Sequence, residues 1–250
     1  VAFIVAVAAT RKIINSRDKD SIMRKQSGFT LIELAIVLVI IGLLLGGVLK
    51  GQELINSAKV KNMAADFKNI QVYLFAYQDR FRAIPGDDGR ADTHVAGGAL
   101  ALPAATRQNG LIEGDWNGGA SGTAPTTESG LFWQHVRLAN LAPGPTNLTA
   151  ADYYPTNADG GRIGIQSIQA GAGGAGFATI TGPTPMPGSF VICSGSITGR
   201  IATQLDTTLD DGETSTGSLR AIAQGTAGNA ATTVQVNAAP GQTYTVCMSF

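Results

Sequence analysis

The sequence predicts an α+β fold: one long N-terminal helix whose first half spans a membrane and whose second half packs on a mainly antiparallel β-sheet head. Three observations carry that expectation. Residues 29–49 (FTLIELAIVLVIIGLLLGGVL) form a strongly apolar run with one charge, Glu33. An apolar stripe at helical spacing then runs from Val60 to Phe81. Residues 83–250 hold 27 of the 32 Gly and all ten Pro, which keeps regular segments short.

The chain of 250 residues has 18 Lys+Arg and 18 Asp+Glu, a zero that averages unlike parts. Residues 1–28 carry six basic and two acidic side chains, residues 29–82 six and four, and residues 83–250 six and twelve, with no lysine. This balance speaks against a strongly basic nucleic-acid binder, so no direct nucleic-acid partner is expected. The two cysteines are too few for a Cys-rich zinc module or a disulfide-dense miniprotein.

The 21 residues of 29–49 make roughly 30 Å of helix, the thickness of a bilayer's hydrocarbon core. Arg24 and Lys25 flank this run on its N-terminal side, so the positive-inside rule leaves the N-terminus in the cytoplasm and sends the rest outward. Helical patterning continues through GGVLKGQELI, which argues against signal-peptide cleavage beyond the apolar run. Residues 1–22 contain an apolar stretch too short to span, and Met23 stands just before the basic pair. Met23 is therefore the expected translation start, with residues 1–22 an over-extended reading of the gene. Glu33 is an ionisable group inside a span, which is costly and asks for a partner unless the side chain snorkels to the headgroups.

Residues 23–42, MRKQSGFTLIELAIVLVIIG, resemble the N-terminus of the type IV pilin superfamily, which includes pilus pilins, competence pseudopilins and type II secretion pseudopilins. The shared features are a short basic leader ending in Gly28, then Phe29, then a Glu fifth after the Gly, in register with the apolar run. The resemblance implies that a prepilin peptidase cuts between Gly28 and Phe29 and methylates the new Phe29 amine. It also implies that Glu33 neutralises the N-terminal amine of an adjacent subunit during assembly. Many pilus pilins have a Pro late in this helix; here Lys50 stands at that place, and Gly46, Gly47 and Gly51 could loosen the helix instead.

Beyond Lys50 (residues 51–82), Val60, Met63, Phe67, Ile70, Leu74, Tyr77 and Phe81 alternate at intervals of three and four, one stripe on a helix. Pro85-Gly86 ends it. In the head, 128–141 reads as a short helix burying Leu131, Phe132, Val136 and Leu138 or residues near them. RIGIQSIQ (162–169) and FATIT (177–181) read as a hairpin about AGAGGAG, and SFVIC (189–193) as a strand. Thr198 is placed to cap a helix through Ile201, Ala202, Leu205 and Leu209, with Gly212 past its end. SLRAIA, TTVQVN and TYTVCMSF supply closing strands.

Cys193 and Cys247 sit in strand-like runs of a head expected outside the cytoplasm, where a disulfide is favoured. Many pilus pilins carry such a C-terminal disulfide loop, and many pseudopilins do not. GAGGAG at 171–176 matches a dinucleotide fingerprint only formally, because no helix opens after it. His94 and His135 are solitary, so neither zinc nor a hydrolase is expected, and no catalytic residue is assigned. No cofactor is expected, with one reservation: Asp206, Asp210, Asp211 and Glu213 form an acidic cluster of the kind calcium takes. Asp87, Asp88 and Asp92 read as a solvated turn, and Asn147-Leu148-Thr149 matches a glycosylation sequon.

Together these features predict a structural subunit, not an enzyme: a type IV pilus or related filament subunit made as a membrane prepilin. The alternatives are a pseudopilin of type II secretion and a membrane-tethered extracellular binding protein or enzyme. The implied partners are prepilin peptidase, other pilin subunits, the inner membrane and an assembly platform. The implied location is the inner membrane before assembly and an extracellular or periplasmic filament after it.

Overall fold

A helix needs an unbroken run of residues that tolerate helical backbone, and residues 31–81 contain no Pro. The computed structural model, which describes residues 29–168, 186–224 and 241–250, shows a single helix there, α1 (Leu31–Phe81). It passes through Gly46, Gly47 and Gly51 without a break. The chain divides into two units at Leu49/Lys50. In the first unit every described side chain from Phe29 to Leu49 is exposed, an apolar surface all round. This helix is long and apolar enough to cross a membrane.

The second unit, from Lys50 on, contains the head. Here α1 is one-sided: Val60, Met63, Phe67, Ile70, Leu74 and Tyr77 are buried and Phe81 half-buried, as the stripe predicts. Arg82, in the left-handed region at φ 54°, ends the helix before Pro85. Gly86 (φ 96°) is needed because a Cβ there would collide with the Glu128 carbonyl. Next come α2 (Ala91–His94), a 3₁₀ turn (Ala104–Thr106) and α3 (Glu128–Leu138). The four-stranded sheet follows: β1 (Ile163–Ser167), β2 (Phe190–Thr198), β3 (Leu219–Ala223) and β4 (Thr243–Ser249), with α4 (Gly199–Leu209) between β2 and β3.

All strand pairs are antiparallel, in the order β1-β2-β4-β3. Side-chain alternation divides the sheet's residues between two clusters. Ile163, Ile165, Ile192, Leu219, Ala221, Val246 and Met248 join the α1 stripe and Phe132, Trp133 and Tyr153 in the main core. Val191, Cys193, Ile222 and Cys247 join Trp116 and Met186 in a smaller one. Ile197 breaks parity with Ile192 yet shares its cluster, because the β2–β4 register shifts between Ser194 and Ile197. Ser196, at φ 57°, lies in that irregularity.

Three sequence readings change, and the hairpin of 162–169 with 177–181 falls partly outside the described residues. The strand expected at 189–193 runs on to Thr198 and leads directly into α4. The described partner of β1 is β2, while segment 177–181, the Gly-rich tip and TTVQVN lie outside the described residues. Thr198 does occupy the α4 N-cap position, but its side chain makes no capping hydrogen bond. Helix α3 is buried over Glu128–Arg137, with Trp133 inside and Leu138 only half-buried. Arg137 is accommodated without a carboxylate: it donates to the carbonyls of Pro143 (3.1 Å), Pro145 (3.0 Å) and Tyr153 (2.6 Å), which ties the following loop down.

Cys193 and Cys247 are directly opposed in the β2–β4 ladder and form a disulfide, both fully buried. They are 54 residues apart in sequence, so the cross-link encloses α4 and β3. Loop closure of that size stabilises by about 3–4 kcal/mol. A Cys193→Ala/Cys247→Ala double variant is therefore expected to unfold about 10 °C lower by calorimetry, and an unchanged midpoint would refute a stabilising role.

Candidate functional site

The first site is the start of α1. Thr30 precedes the helix, and the backbone N–H and hydroxyl of Thr30 donate to Glu33 Oε2 at 2.8 and 2.9 Å. The Glu33 N–H donates back to Thr30 Oγ1 at 3.3 Å. This is a capping box, in which the Thr and the Glu three residues on satisfy each other's backbone donors. The spacing T-x-x-E was legible in the sequence and passed unread there. Helix position therefore fixes Glu33 locally before any neighbour is considered. Phe29 is exposed and Gly28 lies outside the described residues.

Residues 23–49 match the model of the prokaryotic N-terminal methylation motif. The chain carries the type IV prepilin-type signature. With the long apolar helix and the antiparallel sheet, the architecture is pilin-like α+β. The prepilin signature implies processing by prepilin peptidase, assembly with other pilin subunits and a structural role, and it fits membrane anchoring before assembly. No curated protein and no solved structure matches the chain.

In the head of this prepilin-type chain, the acidic residues divide by environment. Asp206, Asp210 and Asp211 come together at the end of α4, with one carboxylate oxygen of each within 4.8 Å of the others. Asp206 is fully buried, and neither of its oxygens has a hydrogen-bond partner. Burial, reinforced by Asp211, Asp210 and Glu213, pushes the Asp206 carboxyl up to about 7. Glu213 is not part of the trio. Its Oε1 accepts from the Ser215 hydroxyl (2.9 Å) and N–H (3.3 Å).

Asp87 and Asp88 are buried, which corrects the solvated turn; only Asp92 is exposed. Asp88 accepts from Tyr77 Oη (2.8 Å) and the Arg90 N–H (2.9 Å) and meets His94 Nδ1 at 2.6 Å. Asp87 accepts from the N–H groups of Gly110 (2.8 Å) and Asn109 (3.2 Å). His135, fully buried, accepts the Gly86 N–H on Nδ1 (2.9 Å) and faces the Ala99 carbonyl with Nε2 (2.8 Å). That arrangement requires a neutral ring protonated on Nε2, and burial pushes its pKa down. Both histidines thus join elements of the head. Asn147 is exposed, and its Oδ1 accepts from the Thr149 hydroxyl at 3.0 Å.

Glu128, at the start of α3, is 1 % exposed. Its Oε2 accepts the Glu113 N–H at 2.9 Å and its Oε1 has no partner. Burial, with Asp87 and Glu113 adding like charge, pushes it up to about 7 from an ordinary 4.5. Between those values the folded chain holds a proton that the unfolded chain has released. The stability this contributes is complete below about pH 4.5 and is lost as pH rises through 7. Glu128→Gln, which mimics the protonated form, is expected to flatten the fall in thermal midpoint of the detergent-solubilised chain between pH 5 and 8, the difference reaching roughly 3 kcal/mol at most. Parallel wild-type and variant profiles would refute this.

Proposed function

We propose that this chain is a structural subunit of a type IV pilus or closely related filament. The observation that carries the reading is the methylation motif at 23–49 lying in register with a helix exposed on every side to Leu49. A surface of that kind is stable only in lipid or against the apolar helices of neighbouring subunits. In this reading the prepilin inserts with its basic leader in the cytoplasm and its head outside. Prepilin peptidase cuts after Gly28 and methylates Phe29, and the assembly platform draws the subunit into a helical polymer. Glu33 then exchanges its Thr30 contacts for the methylated amine of a neighbour. Opposite charges attract strongly in a low-dielectric bundle, and losing either strands the other.

The Cys193–Cys247 disulfide favours a pilus over a type II secretion pseudopilus. Mass spectrometry of material sheared from cells tests the whole route. The expected species begins at methylated Phe29 and gains two hydrogens on reduction. The same processed chain confined to the membrane would favour the pseudopilin, and an unprocessed chain would favour a tethered extracellular protein. Glu33→Ala is expected to insert normally while filament yield in the sheared fraction falls at least about tenfold, the order expected from stranding one buried charge. Wild-type filament yield from that variant would defeat the assembly role.

A further inference from the structure

The loop after α3 carries a surface asparagine whose surroundings leave its amide nitrogen idle. Asn147 is the chain's one asparagine with Ser or Thr two residues on, and the residue between, Leu148, is not Pro. That pattern is an acceptor for N-linked sugar when it lies on an accessible loop outside the cytoplasm. The structure supplies such a loop. Leu148 is half-buried and packs on the main core, while Asn147 and Thr149 on either side of it are both exposed. The acceptor amide and its hydroxyl partner thus share one solvent-facing turn.

That turn is held in place from the α3 side. The Gln134 amide donates to the Thr146 carbonyl (3.3 Å), and Arg137 holds the carbonyls of Pro143 and Pro145. The Ala150 N–H closes the turn on the Asn147 carbonyl at 3.1 Å. Within it, Asn147 Oδ1 accepts from the Thr149 N–H (3.1 Å) and hydroxyl (3.0 Å). An Asx turn of this kind needs only an acceptor oxygen, so aspartate would serve it equally. Asn147 Nδ2, by contrast, has no hydrogen-bond partner among the described residues. Asn109 and Asn157 differ. Asn109 Nδ2 donates to Glu113 Oε1 (3.1 Å), and Asn157 Nδ2 to Ser194 Oγ (2.7 Å) and the Gly195 carbonyl (2.8 Å).

We propose that Asn147 is a site of N-glycosylation, its sugar donor an oligosaccharide carried on a polyprenyl pyrophosphate. The inference rests on the filament-subunit reading in one respect, the outward placement of the head. In the transfer, Asn147 Nδ2 forms a bond to the anomeric carbon of the sugar, and the bond from that carbon to the pyrophosphate oxygen breaks. The pyrophosphate leaves with the electron pair, and one amide proton passes to a carboxylate of the transferase. Donor and acceptor meet because both are confined to one membrane, the donor by its lipid and the chain by α1, which raises their effective concentration.

Intact-mass and peptide mass spectrometry of the full chain, isolated in detergent from the membrane and the sheared fraction of the organism that produces it, tests this. The expected result is a mass above that of the polypeptide by one or more sugar residues, carried on the peptide that contains Asn147. Asn147→Asp keeps the turn's acceptor oxygen and removes the nucleophile, so it is expected to abolish the addition with an unchanged circular dichroism spectrum. Thr149→Val is expected to abolish it as well and Thr149→Ser to retain it, a split that a merely structural turn would not produce. An unmodified wild-type chain, or an addition that survives in Asn147→Asp, would overturn the proposal. The same spectra report the N-terminus separately. A chain that begins at methylated Phe29 without the sugar overturns the glycosylation alone, and an unprocessed chain that carries it overturns the filament reading alone.

Discussion

The head depends on burying one stripe of α1. Met63, Phe67, Leu74 and Tyr77 are at most 1 % exposed, and they meet residues from α3 and all four strands in a single cluster. Each such side chain contributes roughly 2 kcal/mol by leaving water, so the stripe outweighs any individual polar contact in the head. It also orders the rest. Tyr77 reaches past the core to Asp88, Arg80 donates to the Ala139 carbonyl, and Lys59 pairs with Asp159 at 2.7 Å. Loops with little regular structure are thus tied to a rigid rod by contacts whose geometry the helix sets.

Against that apolar background the buried acids form a graded series. Asp88 is fully engaged by a phenol, an imidazole and a backbone N–H. Asp87 takes backbone N–H groups, Glu128 takes one, and Asp206 takes none. The effect on ionisation follows the series. Asp88 stays below the usual carboxylate range because its hydrogen bonds overcome its burial, whereas Glu128 and Asp206 rise to about 7 because burial wins. A lost partner therefore matters more here than a gained one.

The N-terminal site follows a different logic. Glu33 lies in a helix with no core to enter, and its partner inside the chain is the Thr30 that begins the helix. A capping box keeps the carboxylate oriented at the helix start while leaving it accessible. In the proposed filament, a contact with a neighbour's amine would replace these weak local bonds with a charge pair in a dry environment, giving packing a direction as well as an affinity.

Local pattern was enough for the features that depend on neighbours in sequence. The two characters of α1, its stop before Pro85, the methylation signature and the α4 span all rest on periodicity, caps and residue type over a few turns. Only the tertiary structure decided which residues meet. The partner of β1, the register shift that brings Ile197 into the core, and the opposition of Cys193 and Cys247 depend on strands far apart in the chain. The same holds for the acids. Asp87, Asp92, Asp206 and Glu213 are indistinguishable as sequence, yet one is clasped by a loop, one solvated, one stranded in the interior and one turned to a serine. An apolar stripe announces its own burial, but the burial of a lone acid depends on what the rest of the chain places around it.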